Sequence, residues 1–146
     1  MKNLLRLIAS FLPQDTAYAH CDVPCGIYDP RAAQIAAATV LKMAQKINEI
    51  KAAPGTPEEL QARNSFVRMV WTKEEHARRC KEELLILWTD YFKPEHLEKF
   101  PDLHAKFWNA AKLCSKNKQA VDLGLAQELV KAVDEIADIF TKSKTS

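Results

Sequence analysis

The stretch His20-Cys21-Asp22-Val23-Pro24-Cys25-Gly26-Ile27-Tyr28-Asp29-Pro30 sets an imidazole, two thiols and a turn proline within six residues and then opens a helix. Thiolate is the nucleophilic, metal-binding form of cysteine, and soft sulfur beside imidazole nitrogen suits late first-row metals rather than magnesium or calcium. Pro24 and Gly26 bend the chain so that Cys25 returns beside Cys21. Asp29 is a good N-cap, and Pro30 stands where a first helical residue tolerates the loss of its N–H, so the hook hangs from a helix N-terminus. Just upstream, Thr16-Ala17-Tyr18-Ala19 forms an A-x-A-like processing site that ends at His20. Cleavage there makes His20 the mature N-terminus. Its free α-amine, the amide nitrogen of Cys21 and the two thiolates then offer a square-planar N2S2 set, with the His20 imidazole as an axial fifth ligand. Square-planar coordination favours nickel(II) or copper(II) over zinc.

The stretch resembles the start of the mature chain of nickel superoxide dismutases, H-C-D-x-P-C-G-x-Y-D-P, matched from His20 to Pro30. The resemblance continues at Leu87-Trp88-Thr89-Asp90-Tyr91-Phe92-Lys93-Pro94 and extends over residues 20–146. It implies an oxidoreductase that takes superoxide as substrate and a nickel ion as cofactor, cycling between Ni(II) and Ni(III) on His20, Cys21 and Cys25. The negative charge and covalency of thiolate donors make the oxidised ion accessible. The resemblance also implies that Tyr28 and Tyr91 stand over the open face of the metal and that Lys93 adds positive potential that draws in an anion. A homohexamer and a leader removed by a dedicated protease follow from the same source. Two positions depart from the family's best-known members, which carry glutamate where this chain has Ala36 and arginine where it has His76.

Composition agrees with a modest enzyme subunit. With 146 residues, 47% hydrophobic and 27% charged, the chain can bury one core and hardly two. Its formal charge of +2 is too small and too scattered to argue for a nucleic-acid partner. No apolar run approaches the length needed to cross a bilayer, so no membrane partner is expected. The four cysteines are not a dense disulfide framework, and two of them are needed as thiolates, which points to a reducing, cytoplasmic compartment. Residues 1–19 read as the leader, basic at Lys2 and apolar at Leu4, Leu5, Leu7, Ile8, Phe11 and Leu12. Arg6 interrupts the apolar block, which favours removal by a dedicated protease over a secretory signal, with export as the alternative. The mature domain is then 20–146, made of a hook at 20–29 and a helical part at 30–142.

Ile35, Leu41, Ala44, Ile47 and Ile50 recur at helical spacing and predict a first helix over 30–52, broken by Ala53-Pro54-Gly55-Thr56-Pro57. Thr56, Pro57 and Glu59 form a capping box that opens a long second helix. Phe66, Val70, Ala77, Cys80, Leu84, Leu87 and Tyr91 keep a seven-residue repeat along it, broken only by Lys73, and it ends near Phe92 ahead of Pro94. Residues 94–100 form a short helical connector. A third helix runs from Pro101 to about Cys114 with Leu103, Phe107, Trp108 and Ala111 on its apolar face. After a polar turn at 115–118, Leu125, Leu129, Val133, Ile136 and Phe140 mark a fourth, whose start falls on one side or the other of Gly124. Lys142 to Ser146 read as a frayed tail. Four helices on short links make an all-α protein, an up-down-up-down four-helix bundle with an N-terminal metal-binding hook.

Other candidates have plainer explanations. Cys80 and Cys114 fall on apolar helix faces and act as small hydrophobes. His76, His96 and His104 read as surface or capping residues, Trp71, Trp88 and Trp108 as core or interface fillers, and the run Lys73-Glu74-Glu75 as solvated helix surface. No E-x-x-H occurs, which removes the di-iron bundle signature. Two rivals from other classes stay open: a nickel or copper storage protein without turnover, and an exported bundle with a Cys21-Cys25 disulfide.

Overall fold

The structure is a computed structural model that describes residues 26–52 and 54–144. Among these residues there are helices and no strands: α1 Arg31–Asn48, α2 Pro57–Ile86 running on into a π-helical turn at Leu87–Tyr91, α3 Pro94–Lys99, α4 Leu103–Gln119 and α5 Leu123–Ser143. Helix α1 packs on α2, α2 on α4, α4 on α5, and α5 closes on α1. The four long helices therefore form the expected bundle, with α3 as the helical connector. No described helix is long and apolar enough to cross a membrane.

The predicted caps are in place. Asp29 Oδ1 accepts from the Arg31 N–H at 2.8 Å, and the Pro30 carbonyl accepts from the Gln34 N–H at 3.0 Å. Thr56 Oγ1 accepts from the Glu59 N–H at 3.3 Å, and the Glu59 carboxylate reaches back to the Gly55 N–H. Along α1 the buried stripe is Ala33, Ala36, Ala37, Val40, Ala44 and Ile47. These small side chains let neighbouring helices come close, whereas Ile35, counted into the apolar series, lies off the stripe and is exposed. Helix α1 stops at Asn48 rather than 52: the Glu49 N–H is shared between Gln45 O at 3.2 Å and Lys46 O at 3.3 Å, and the Ile50 N–H bonds Ile47 O, three residues back, which tightens the last turn.

The seam of α2 is Lys73, Ala77, Cys80, Leu84 and Leu87, so the apparent break in the repeat is its most buried polar member. Lys73 is 1% exposed, and its ammonium donates to the Asn117 carbonyl and, at 3.4 Å, to that of Lys118. A cation there satisfies the orphan carbonyls at the C-terminus of α4, where the helix dipole favours positive charge. The same contact corrects the boundary predicted for the third helix. The run 115–118 is not a turn but the last part of α4, held by Lys73 and by Asn117, whose Nδ2 donates to Leu113 O at 3.0 Å and across to Leu125 O at 2.9 Å. Helix α4 also starts later than Pro101, since the Leu103 N–H first closes a turn onto Phe100 O at 3.1 Å. Asp122 Oδ1 caps α5 by accepting from the Leu125 N–H at 3.0 Å, which puts Gly124 inside the first turn.

Among the described residues, the part of α2 before Lys73 lies along the end of α1 and the link after it, across grooves at Met43, Ile50 and Ala52. Phe66, assigned to the seam, is exposed, as are Leu60, Val67 and Trp71. Trp108 is exposed as well, while Trp88 packs against the core. Cys80 and Cys114 are fully buried, as expected. The predicted fraying at Lys142 is not found: both Lys142 and Ser143 are helical, and Ser143 is buried.

Lys73→Ala is expected to cost about 2–5 kcal/mol in urea unfolding, since it opens a cavity and strips the end of α4 of its cap. Burial lowers the pKa of Lys73, with Glu74 opposing that shift. Between the lowered folded value and the ordinary one near about 10.4, the unfolded chain holds more protons, so stability gains a contribution that rises with pH in that window. Lys73→Met should remove this alkaline rise, measured as unfolding free energy against pH.

Candidate functional site

The last turn of α2 sets the geometry. The Phe92 N–H bonds to Leu87 O at 3.1 Å, five residues back, so one more residue is accommodated than in an α-turn. An extra residue advances the register by roughly 100°, and π-turns of this kind are frequent at functional sites. Tyr91 leaves this turn into an aromatic cluster. Its ring centroid lies 4.5 Å from that of Phe140, 4.9 Å from Phe92, 5.7 Å from His96 and 5.6 Å from Tyr28. Ser143 Oγ donates to Phe140 O at 2.7 Å, which leaves the Tyr91 hydroxyl, 2.8 Å away, as the donor to Ser143.

Tyr28 comes from the other end of the fold. Gly26 sits at φ +71°, in the left-handed region, and turns the chain toward Tyr28, which packs on the core, and Pro30, which is buried. Tyr28 and Tyr91 meet with their rings tilted at 58°. Around them is a cavity of about 390 Å³ lined by Gly26, Tyr28, Asp90, Tyr91, Lys93, Glu95 and His96. The structure thus brings together all three of the predicted non-ligand site residues, Tyr28, Tyr91 and Lys93. His20, Cys21 and Cys25 lie outside the described residues, but Gly26, which follows Cys25 directly, forms part of the cavity wall.

The lining carries one ammonium between two carboxylates. Lys93 is exposed, with Asp90 and Glu95 on either side, and Asp90 accepts from Thr89 Oγ1 at 2.7 Å. Among the described lining residues Lys93 is the ammonium, and Asp90 and Glu95 are the carboxylates. Among the described residues no group of three or more His, Cys, Asp or Glu side chains could hold a metal ion. The donor set expected of the hook suits nickel, and the described part of the cavity wall starts at Gly26, next to Cys25. Ala36 is buried in α1, and the His76 Nδ1 lies 2.9 Å from Thr72 O within α2; neither lines the cavity.

Nickel-containing superoxide dismutase is the family whose sequence pattern matches, over residues 15–144. The chain belongs to that family. The nickel superoxide dismutase of Streptomyces coelicolor is 35% identical over 134 residues, which are 92% of this chain and 95% of that one. That of Streptomyces seoulensis matches to the same extent. Among solved structures, a native nickel superoxide dismutase superposes with a TM-score of 0.74 at 34% identity, over 86% of this chain and 99% of its own. A nickel-containing superoxide dismutase with ligation corresponding to the oxidised state gives 0.75 at 34%, over 87% and 100%. The all-α bundle is the fold of the family.

Sequence reasoning passed over His96 and Ser143. His96 carried one signal, its place three residues after Lys93 in a Pro-started helix, and it was read as a possible cap and no more. Ser143 follows Phe140 by three residues, on the same helix face, beyond the last apolar residue of the series.

Gly26→Ala tests the turn between hook and bundle. A Cβ at this position meets nothing within 4 Å, so the penalty is the left-handed backbone alone, about 1–2 kcal/mol. Urea unfolding of the variant should show that loss as a roughly fivefold to thirtyfold drop in the ratio of folded to unfolded chains.

Proposed function

We propose that this chain is a superoxide dismutase that works with nickel, turning two superoxide anions and two protons into dioxygen and hydrogen peroxide. The observation that carries the reading is the meeting of Tyr28 and Tyr91 in a cavity whose wall includes Gly26, directly after Cys25, in a chain of this family. His20 would hold the metal through its α-amine and imidazole, Cys21 through its amide nitrogen and thiolate, and Cys25 through its thiolate. Nickel, when bound, supplies a Ni(II)/Ni(III) couple able to take an electron from one superoxide and return it to another.

The remaining residues govern access and protons. The rings of Tyr28 and Tyr91 narrow the cavity to small molecules and exclude bulk water, which strengthens every polar interaction inside. Tyr28 is the tyrosine assigned to order the proton-carrying water, and Tyr91, whose hydroxyl bonds to Ser143, is assigned to stand beside it over the metal. Lys93 draws the anion to the mouth.

Residues 1–19 are assigned to a leader that a dedicated protease removes in the cytoplasm. A homohexamer is the proposed assembly. Its support is the exposed apolar stripe Leu60, Val67 and Trp71, on one face of α2, and a hook that needs covering.

Cys21→Ser or Cys25→Ser should abolish nickel binding and dismutation while circular dichroism keeps its helical signal, because the hook lies outside the bundle core. Full nickel stoichiometry in either variant would overturn the ligand set. Processing tests the amine separately. With the leader attached, the nitrogen of His20 is an ordinary amide, so the 146-residue precursor should bind nickel poorly and be inactive. Cleavage between Ala19 and His20 followed by nickel should restore activity. A chain with one extra residue before His20 should behave as the precursor does, and full activity from it would exclude the amine as a ligand.

A further inference from the structure

We propose that His96 is the positioning residue of the cavity mouth, holding the ring of Tyr91 and the backbone of Lys93 as one unit. The inference rests on the reading of this cavity as the superoxide entrance. It comes from the reciprocal bonds at the start of α3. Lys93 is the N-cap, extended at φ −120° and ψ 165°, and Pro94 follows without an N–H. A lysine side chain has no acceptor with which to cap a helix. The cap is made from the third helical residue instead: the His96 N–H donates to Lys93 O at 3.0 Å, and His96 Nδ1 accepts from the Lys93 N–H at 2.9 Å. As Nδ1 is the acceptor, the proton of the neutral ring sits on Nε2.

Glutamate or glutamine usually fills this place in a capping box. Either would supply the acceptor, and neither would supply a ring. The His96 ring lies nearly parallel to that of Tyr91, at 10° and 5.7 Å, and edge-on to Phe92 at 84° and 5.5 Å. One side chain therefore fixes two things at once: the direction in which the backbone presents Lys93, and the flat face against which Tyr91 rests opposite Tyr28. The charged and titratable groups around it are Asp90 and Tyr91 from the π-turn, Lys93 and Glu95 from the start of α3, and Tyr28 from the hook side. The imidazole is the part of this wall that joins the aromatic half to the charged half.

Two substitutions divide the roles. His96→Phe keeps a ring for Tyr91 and removes the acceptor; His96→Gln keeps an acceptor for Lys93 and removes the ring. Both are made in the processed, nickel-loaded enzyme beside Lys93→Gln and the double variant Lys93→Gln/His96→Phe. Nickel content is the control, and kcat/KM for superoxide is measured across ionic strength, since salt screens the attraction of an anion. Lys93→Gln should flatten the salt dependence. His96→Phe should lower kcat/KM roughly tenfold, the scale expected when a positioned group shifts, and flatten the salt dependence toward that of Lys93→Gln. The double variant should then show no further flattening, because residues acting through one another are not additive. His96→Gln should recover the salt dependence and keep a lowered rate.

If Lys93→Gln flattens the profile while His96→Phe and His96→Gln both keep the normal rate and slope, the positioning role is wrong and the entrance reading stands. If Lys93→Gln leaves the profile unchanged, the entrance reading falls and takes the proposal with it. Should His96→Phe fail to fold, His96→Gln still decides the ring's part: a normal rate in it overturns the claim on Tyr91.

Discussion

The packing of Tyr28 against Tyr91 ties the chain ahead of α1 to the last turn of α2, and the site depends on it. A hook of ten residues has no core of its own, so its geometry has to be borrowed from the bundle. Two fixed points tie its described end to the bundle, the buried Pro30 and the Tyr28 ring packed on the core. The π-turn at Leu87–Tyr91 takes Tyr91 out of plain α-helical register, and it is from there that Tyr91 meets Tyr28. The bundle supplies rigidity, and metal binding supplies the free energy that orders the donors, since a ligand set of this kind is not preformed in an unfolded chain.

The small residues of α1 matter for the same reason. Ala33, Ala37 and Ala44 are all but inaccessible, and they place α2 and α5 close on either side of the helix that carries the hook. The opposite end of the bundle is built by different means. There Lys73 and Asn117 replace apolar packing with bonds to the carbonyls that end α4. A buried ammonium without a carboxylate partner is costly unless its hydrogens are used, and the orphan carbonyls of a helix end are the acceptors that make it tolerable. The stretch of α2 before that contact keeps Leu60, Phe66, Val67 and Trp71 on its surface.

How much of this the sequence discloses depends on whether a feature is local. Asp29 with Pro30, and Thr56 with Pro57 and Glu59, are caps whose partners lie within three residues, and they mark the starts of α1 and α2 directly. The end of α4 is not legible in that way. Ser115-Lys116-Asn117-Lys118 has the composition of a turn, and what keeps it helical is a lysine 44 residues earlier together with a carbonyl of α5. Periodicity treats Lys73 as a fault in the seam because a hydrophobicity count sees the charge and not its partner. The site divides along the same line. The hook declares its chemistry through spacing, whereas Tyr28, Tyr91 and Lys93 were placed by family resemblance. Nothing in the order of residues says that a π-turn brings Tyr91 to Tyr28, or that Ser143, beyond the last periodic apolar residue, closes on its hydroxyl.

That closure makes the two tyrosines unequal. The Tyr91 hydroxyl donates to Ser143, whose own proton goes to Phe140 O, so the chain of bonds runs away from the cavity and into the end of α5. A proton passed along it would arrive at a backbone carbonyl that cannot release it. Tyr91 is thereby fixed as a wall, with its ring held by Phe140 on one side and by His96 and Tyr28 on the others. Tyr28 stands where the hook joins the bundle, nearer in sequence to the thiolates than any other described aromatic residue. The partner that holds the Tyr91 hydroxyl comes from one turn of helix beyond the apolar core.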